Sequence, residues 1–284
     1  MKINLFCYLD ALEHKLLHHF LSHYKKLGVD SFRLIVDISS NNNLKNVIEK
    51  TINNYNVRAT YVVNKFHSDI KREQINNHIK ELSGTEDWLV YVDVDEFINL
   101  KESPGVDCRD LRELTKNISS HGLDGISGIM CDKFCITDLQ KEITTQKDSL
   151  SNFSHYYPLT QSCAHSHKLP LFKCSADFRF TSAHCIKGKI RKPKNSFLVL
   201  DHYKWNKDTI EKLKKRLLTY AKDGRKKVYE QQKKLLEDII KNKLDPKLTF
   251  ERLYEKKMNI HNYIHFIPSH PDVTELHKYF NKIN

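Results

Sequence analysis

Trp88-Leu89-Val90-Tyr91-Val92-Asp93-Val94-Asp95-Glu96-Phe97-Ile98 is an apolar, β-branched run that stops at three carboxylates within four residues. Such a run predicts a strand over 88–94 that is covered on both faces. Side chains alternate along a strand, so Asp93 and Asp95 project to one side, where two carboxylates repel unless a metal or an Arg/Lys neutralises them. Hard oxygen ligands suit Mg²⁺ or Mn²⁺, which keep waters and borrow oxygens from substrate phosphates. A metal-phosphate site is the simplest chemistry for the run; helix or turn capping by the same acids is the plainer alternative.

Working outward, Leu12, Leu16, Leu17, Phe20, Leu21, Tyr24 and Leu27 recur at helical spacing over 11–27, and Gly28 follows where a left-handed cap belongs. Met1–Leu9 reads as a first strand, too short to span a bilayer. A strand over 32–38, a helix over 44–54, a strand over 57–63 and a helix over 69–82 lead back to the central run. Alternating strands and helices predict an α/β fold with a mostly parallel sheet and helices on both faces. In such sheets ligands sit beyond the carboxyl ends of the strands, where Asp10, Asp37, Asp93 and Asp95 all fall. No glycine-rich phosphate loop follows the first strand, so metal and side chains would have to hold any phosphate.

Beyond the central run, the pattern predicts a helix over 108–118, a strand over 125–130 and a long polar loop from about 138 to 168. Short strands follow near 169–174, 181–186 and 196–202, then helices over 207–222, 225–242 and 246–258. A catalytic domain over 1–205 and a helical extension over 206–284 are therefore expected. The chain of 284 residues carries 47 Lys+Arg against 35 Asp+Glu, a formal charge of +12. Residues 201–284 hold 20 of those bases and 12 of the acids, so most of the excess lies in the last third. That surface could draw an anionic membrane, a nucleotide-bearing substrate or nucleic acid; nothing like a base-reading motif accompanies it, which argues against nucleic acid. Seven scattered cysteines without a CxxC pair, and no signal-peptide pattern, predict reduced thiols in the cytoplasm.

Asp93-Val94-Asp95-Glu96-Phe97 at the end of a parallel-sheet strand resembles the glycosyltransferases of GT-A (Rossmann-like) fold, in the family 2-like and family 92 group. Tyr24-Lys25-Lys26-Leu27-Gly28-Val29, Thr181-Ser182-Ala183-His184 and Leu200-Asp201-His202-Tyr203 before a Lys-rich helix add to the resemblance, which runs over roughly residues 3–215. It implies a sugar moved from a nucleotide-sugar, a UDP-sugar first, to a glycan or lipid-linked acceptor in bacterial surface polysaccharide synthesis. It also implies Mn²⁺ or Mg²⁺ held by Asp93 and Asp95, with the acid ending the second strand, Asp37, on the nucleoside. Asp10 stands where the group often carries Asn-Glu, and Lys204 leads a Lys-rich stretch where Arg and Ser are usual, so Lys204 is the candidate phosphate contact.

Glycosyl transfer builds negative charge on the leaving diphosphate, which a bound cation can offset. An inverting enzyme also needs a general base, for which Asp132 and Asp177 are the candidates, with surface acids as the alternative. His184 and His202 each end a short predicted strand, where an imidazole could act as a third metal ligand or serve structurally. Two other classes remain in view: a nucleic-acid- or anionic-lipid-binding protein acting through the basic tail, and a metal-dependent phosphoesterase, which would need more convergent acids than one such pair.

Overall fold

The computed structural model describes residues 1–255 apart from 40, 64–67, 140, 147–148, 158–166, 183–185, 195, 223–225 and 250–253. The strands are β1 (Ile3–Asp10), β2 (Ser31–Asp37), β3 (Val57–Val62), β4 (Trp88–Tyr91), β5 (Glu96–Asn99), β6 (Gly125–Phe134), β7 (His155–Tyr157), β8 (His167–Lys173), β9 (Phe178–Phe180), β10 (Ile186–Gly188), β11 (Leu198–His202) and β12 (Tyr254–Glu255). The helices are α1 (His14–Lys26), α2 (Lys45–Ile52), α3 (Ser68–Leu82), α4 (Leu111–Ser120), α5 (Thr209–Lys222), α6 (Lys226–Lys241) and α7 (Pro246–Thr249). Among the described residues they group into two compact units: Met1–Ile129 with His167–Leu200, and Met130–Ser166 with Asp201–Glu255.

The first unit is a Rossmann-like α/β layer whose large, mostly parallel sheet is flanked by helices, as the alternation of patterns predicts. Its order is β3-β2-β1-β4, all parallel, followed by β8, which runs antiparallel to β4, and β6, antiparallel to β8. Seven of the eight β1 residues are buried, the mark of a strand covered on both faces. One core gathers Phe6, Tyr8, Tyr91, Phe172, Phe178 and Phe180 with Ile75 and Ile79 of α3. In the second unit the later half of β6 pairs with β7, and β7 with β12. There α5 and α6 cover Phe134, Leu139, Trp205, Leu213, Leu236 and Ile239.

Helix α1 ends as its sequence requires. Gly28, at φ +91°, takes the left-handed conformation that lets its N–H reach Lys25 O (3.1 Å) and Val29 N–H reach Tyr24 O (3.0 Å). The same last turn fixes the central run: the buried Tyr24 hydroxyl donates to Glu96 O (2.9 Å) and accepts from Ile98 N (3.1 Å). The boundaries differ from expectation where the chain turns. β4 stops at Tyr91 rather than Val94, because Glu96 N bonds back to Asp93 O (3.0 Å) and closes a turn. In place of one strand over 181–186 the structure has β9 and β10 as a hairpin, and β7 lies inside the stretch expected as loop.

Candidate functional site

The turn that ends β4 is built from acids folded onto one another and onto two lysines. Glu96 Oε2 accepts from Asp93 N (2.8 Å) and from Lys168 Nζ (2.6 Å), while the Lys71 ammonium pairs with Asp93 Oδ1. Lys168 Nζ also stands 3.6 Å from Asp93 Oδ1. Both cations lie over the Tyr91 ring, Lys168 at 4.5 Å and Lys71 at 5.5 Å from its centre. Glu96 is 1 % exposed, Lys168 2 % and Lys71 4 %, whereas the Asp93 side chain keeps 31 % of its surface open. The carboxylate thus faces outward with the lysines beneath it.

Each lysine is delivered by pattern and register. Lys71 stands four residues before Ile75 and eight before Ile79, both buried, so it occupies the apolar stripe of α3. β8 pairs with β4 as Leu171↔Val90 and Phe172↔Leu89; continued by three residues, that register sets Lys168 across from Asp93. Burial pushes the Asp93 carboxyl up, but Lys168 and then Lys71 outweigh it and bring its pKa to about 2. Burial alone would lower the two lysines; Asp93 and Glu96 hold both above the ordinary value, so both stay charged.

A divalent ion on Asp93 and Asp95 would have to share the site with two buried ammonium groups. The charge that two aligned carboxylates would offer is met at Asp93 by two ammonium groups, each repelling a cation by about 3 kcal/mol per pair of unit charges at about 5 Å and an effective dielectric of about 20. Among the described residues no three His, Cys, Asp or Glu side chains gather as ion ligands.

The other expected residues fall as follows. Asp10 and Asp37 are register partners at the carboxyl ends of β1 and β2, on the same edge as Asp93. Asp10 Oδ1 accepts from Leu12 N (2.9 Å) in a capping box with Glu13, and the buried Asp37 accepts from Ser39 N (2.9 Å). Asp177 does not join them. Because β8 runs antiparallel, Lys173 pairs with Trp88 at the start of β4, and the exposed Asp177 beyond it lies at the opposite edge of the sheet. His184 lies outside the described residues. In the second unit Asp132, fully buried, spends one oxygen on His202 Nδ1 (2.6 Å) and the other on Trp205 Nε1 (2.7 Å). A carboxylate only accepts, so with Asp132 ionised His202 donates from Nδ1, and the candidate base has both oxygens engaged. Lys204, next to Tyr203, has its carbonyl capped by the Thr209 hydroxyl. Lys71, Lys168 and Glu96 were missed; a lysine on an apolar helical stripe was the one signal for them.

No protein-family model and no curated protein matches the chain. Solved structures similar to it include a 4-diphosphocytidyl-2C-methyl-D-erythritol synthase, with 15 % identity, 62 % of this chain and 76 % of that one covered, and a TM-score of 0.32. The synthase of the same name from Anaerococcus prevotii DSM 20548 has 13 % identity, coverage of 64 % and 79 %, and a TM-score of 0.29. HddC from Yersinia pseudotuberculosis has 12 % identity, coverage of 72 % and 79 %, and a TM-score of 0.31. Likeness at this level carries no argument about fold, ligand or reaction.

Proposed function

We propose that the chain is a glycosyltransferase that takes a nucleotide-sugar at the carboxyl edge of its parallel sheet and passes the sugar to a glycan or lipid-linked acceptor. The observation that supports this reading most is the row of acids on adjacent parallel strands: Asp37 ending β2, Asp10 ending β1 and Asp93 just past β4, with Asp10 and Asp37 in register. Carboxylates at such strand ends suit the hydroxyls of a ribose or a sugar, and the crevice outside them is where open α/β sheets take ligands. The sheet order, four parallel strands followed by the antiparallel β8, accords with the GT-A resemblance of the Asp93–Phe97 run. In this reading Asp37 and Asp10 position the nucleoside and Asp93 the donor. Stabilising charge on the leaving diphosphate and removing a proton from the acceptor hydroxyl are the two chemical tasks.

Calorimetric titration of the full chain with UDP, GDP and CMP tests it. One nucleotide should bind saturably, and Asp37→Asn should weaken it by about tenfold, equal to about 1.4 kcal/mol, while the fold is kept. Absence of binding by all three to folded protein would defeat the reading.

A further inference from the structure

Asp93 belongs to a five-membered charge cluster in which Asp93 and Glu96 are paired with Lys71 and Lys168, and Asp95 stands close enough to act on both acids. Without the lysines the cluster would carry three negative charges; with them it carries one. A divalent ion is drawn by uncompensated carboxylate charge, and most of that charge is already spent inside the protein. The lysines are held there by more than the acids. Each ammonium lies over the Tyr91 ring, an attraction that strengthens when water is excluded, and the surrounding core leaves the Lys168 side chain no exposure. Lys71 and Lys168 come from a helix and a strand, not from a loop, so moving them aside to admit an ion would mean unpacking α3 or the edge of β8.

What remains at the surface is a carboxylate that is ionised, oriented and electrically quiet. Such a group is a strong acceptor for hydroxyl donors and a weak magnet for cations, and the Asp93 side chain keeps 31 % of its surface open. Resting on the nucleotide-sugar reading above, we propose that Lys71 and Lys168 take the place of the divalent ion in this chain. They hold Asp93 as a charge-compensated acceptor for the ribose or sugar hydroxyls of the donor, so that binding proceeds without metal. The donor's phosphates stay away from this edge, where they would meet Asp93 and Asp95, and Asp93 grips the neutral polyol part of the ligand.

The test uses the full chain and three titrations: UDP, GDP and CMP in EDTA, the same nucleotides in Mn²⁺, and Mn²⁺ alone. The nucleotide that binds is expected to show the same Kd in EDTA and in Mn²⁺ to within about twofold. Mn²⁺ alone should give no saturable binding to wild type, and Lys71→Met, which leaves Asp93 with Lys168 alone, should create it. Nucleotide binding that vanishes in EDTA and returns with Mn²⁺ overturns the proposal and leaves the transferase reading standing. If no nucleotide binds under either condition, the transferase reading falls, and the Mn²⁺ titrations decide the present one. A Mn²⁺ site gained only on losing Lys71 supports it; a site already present in wild type, or none in the variant, overturns it. Lys71→Gln serves in place of Lys71→Met should the latter not fold.

Discussion

Replacing Lys168 by methionine keeps an unbranched side chain of similar length and deletes one buried cation. The loss touches Glu96 at 2.6 Å, Asp93 at 3.6 Å and the Tyr91 ring at 4.5 Å. Asp93 keeps Lys71, so the damage falls on Glu96, whose side chain is 2 % exposed and has no route to water. Removing one partner of a buried pair costs about 3–5 kcal/mol, chiefly the penalty of the charge left behind. At about 2–4 °C per kcal/mol for a large domain, Tm should fall by about 6–20 °C at neutral pH. The penalty has a sign in pH. Burial already raises the Glu96 carboxyl above its ordinary 4.5, and without Lys168 it rises further. A carboxyl whose pKa is higher folded than unfolded costs nothing below the unfolded value and costs most above the folded one. The deficit of Lys168→Met should therefore shrink as pH is lowered toward 4.5. Adding Glu96→Gln should return at least half of the lost stability, since no uncompensated charge then remains. Urea and thermal unfolding of the four proteins, followed across pH, give every quantity. A cost under about 1 kcal/mol at neutral pH, unchanged on acidification, would refute the charge-burial argument.

Asp93→Asn should remove stability that wild type holds at neutral pH and loses as pH falls from 3.8 toward about 2, the range over which its depressed carboxyl titrates; urea midpoints at descending pH should converge for the two proteins. Trp205→Phe keeps a ring to stack on Phe134 but takes the indole donor from Asp132 Oδ2 in a buried site, at an expected cost of about 1–3 kcal/mol in urea unfolding. Gly128→Ala would place a Cβ 2.8 Å from both Leu200 Cδ1 and Pro170 Cγ, so overpacking should cost about 1–3 kcal/mol, seen as a lowered Tm without loss of the far-ultraviolet dichroism of the native fold.

What could be read from the sequence was what is local. The parallel half of the sheet follows from runs and helices whose periods are carried by neighbouring residues: Leu16, Phe20 and Tyr24 announce α1, and Gly28 announces its end. The acids at the strand ends were equally legible, because a strand's direction within an alternating βα pattern fixes which end they occupy. The direction of β8 was not. Nothing near residues 167–173 says whether that strand runs with β4 or against it, and on that choice hang both the approach of Lys168 to Asp93 and the banishment of Asp177 to the far edge. The surroundings of Asp132 were hidden for a similar reason: its partners His202 and Trp205 are 70 and 73 residues away.

The late arrival of β8 also shapes the birth of the protein. β4 ends at Tyr91 and its antiparallel neighbour begins at His167, with the strands of the second unit's first segment made in between. At about 5–20 residues per second, the ribosome leaves one side of β4 open for roughly 4–15 s. An apolar edge of that kind is a template for association with other nascent chains, and charge at its end is the usual safeguard. Asp93, Asp95 and Glu96 have only Lys71 to answer them during that interval, so the nascent edge is more acidic when it is most exposed, and loses that excess as the closing strand brings Lys168.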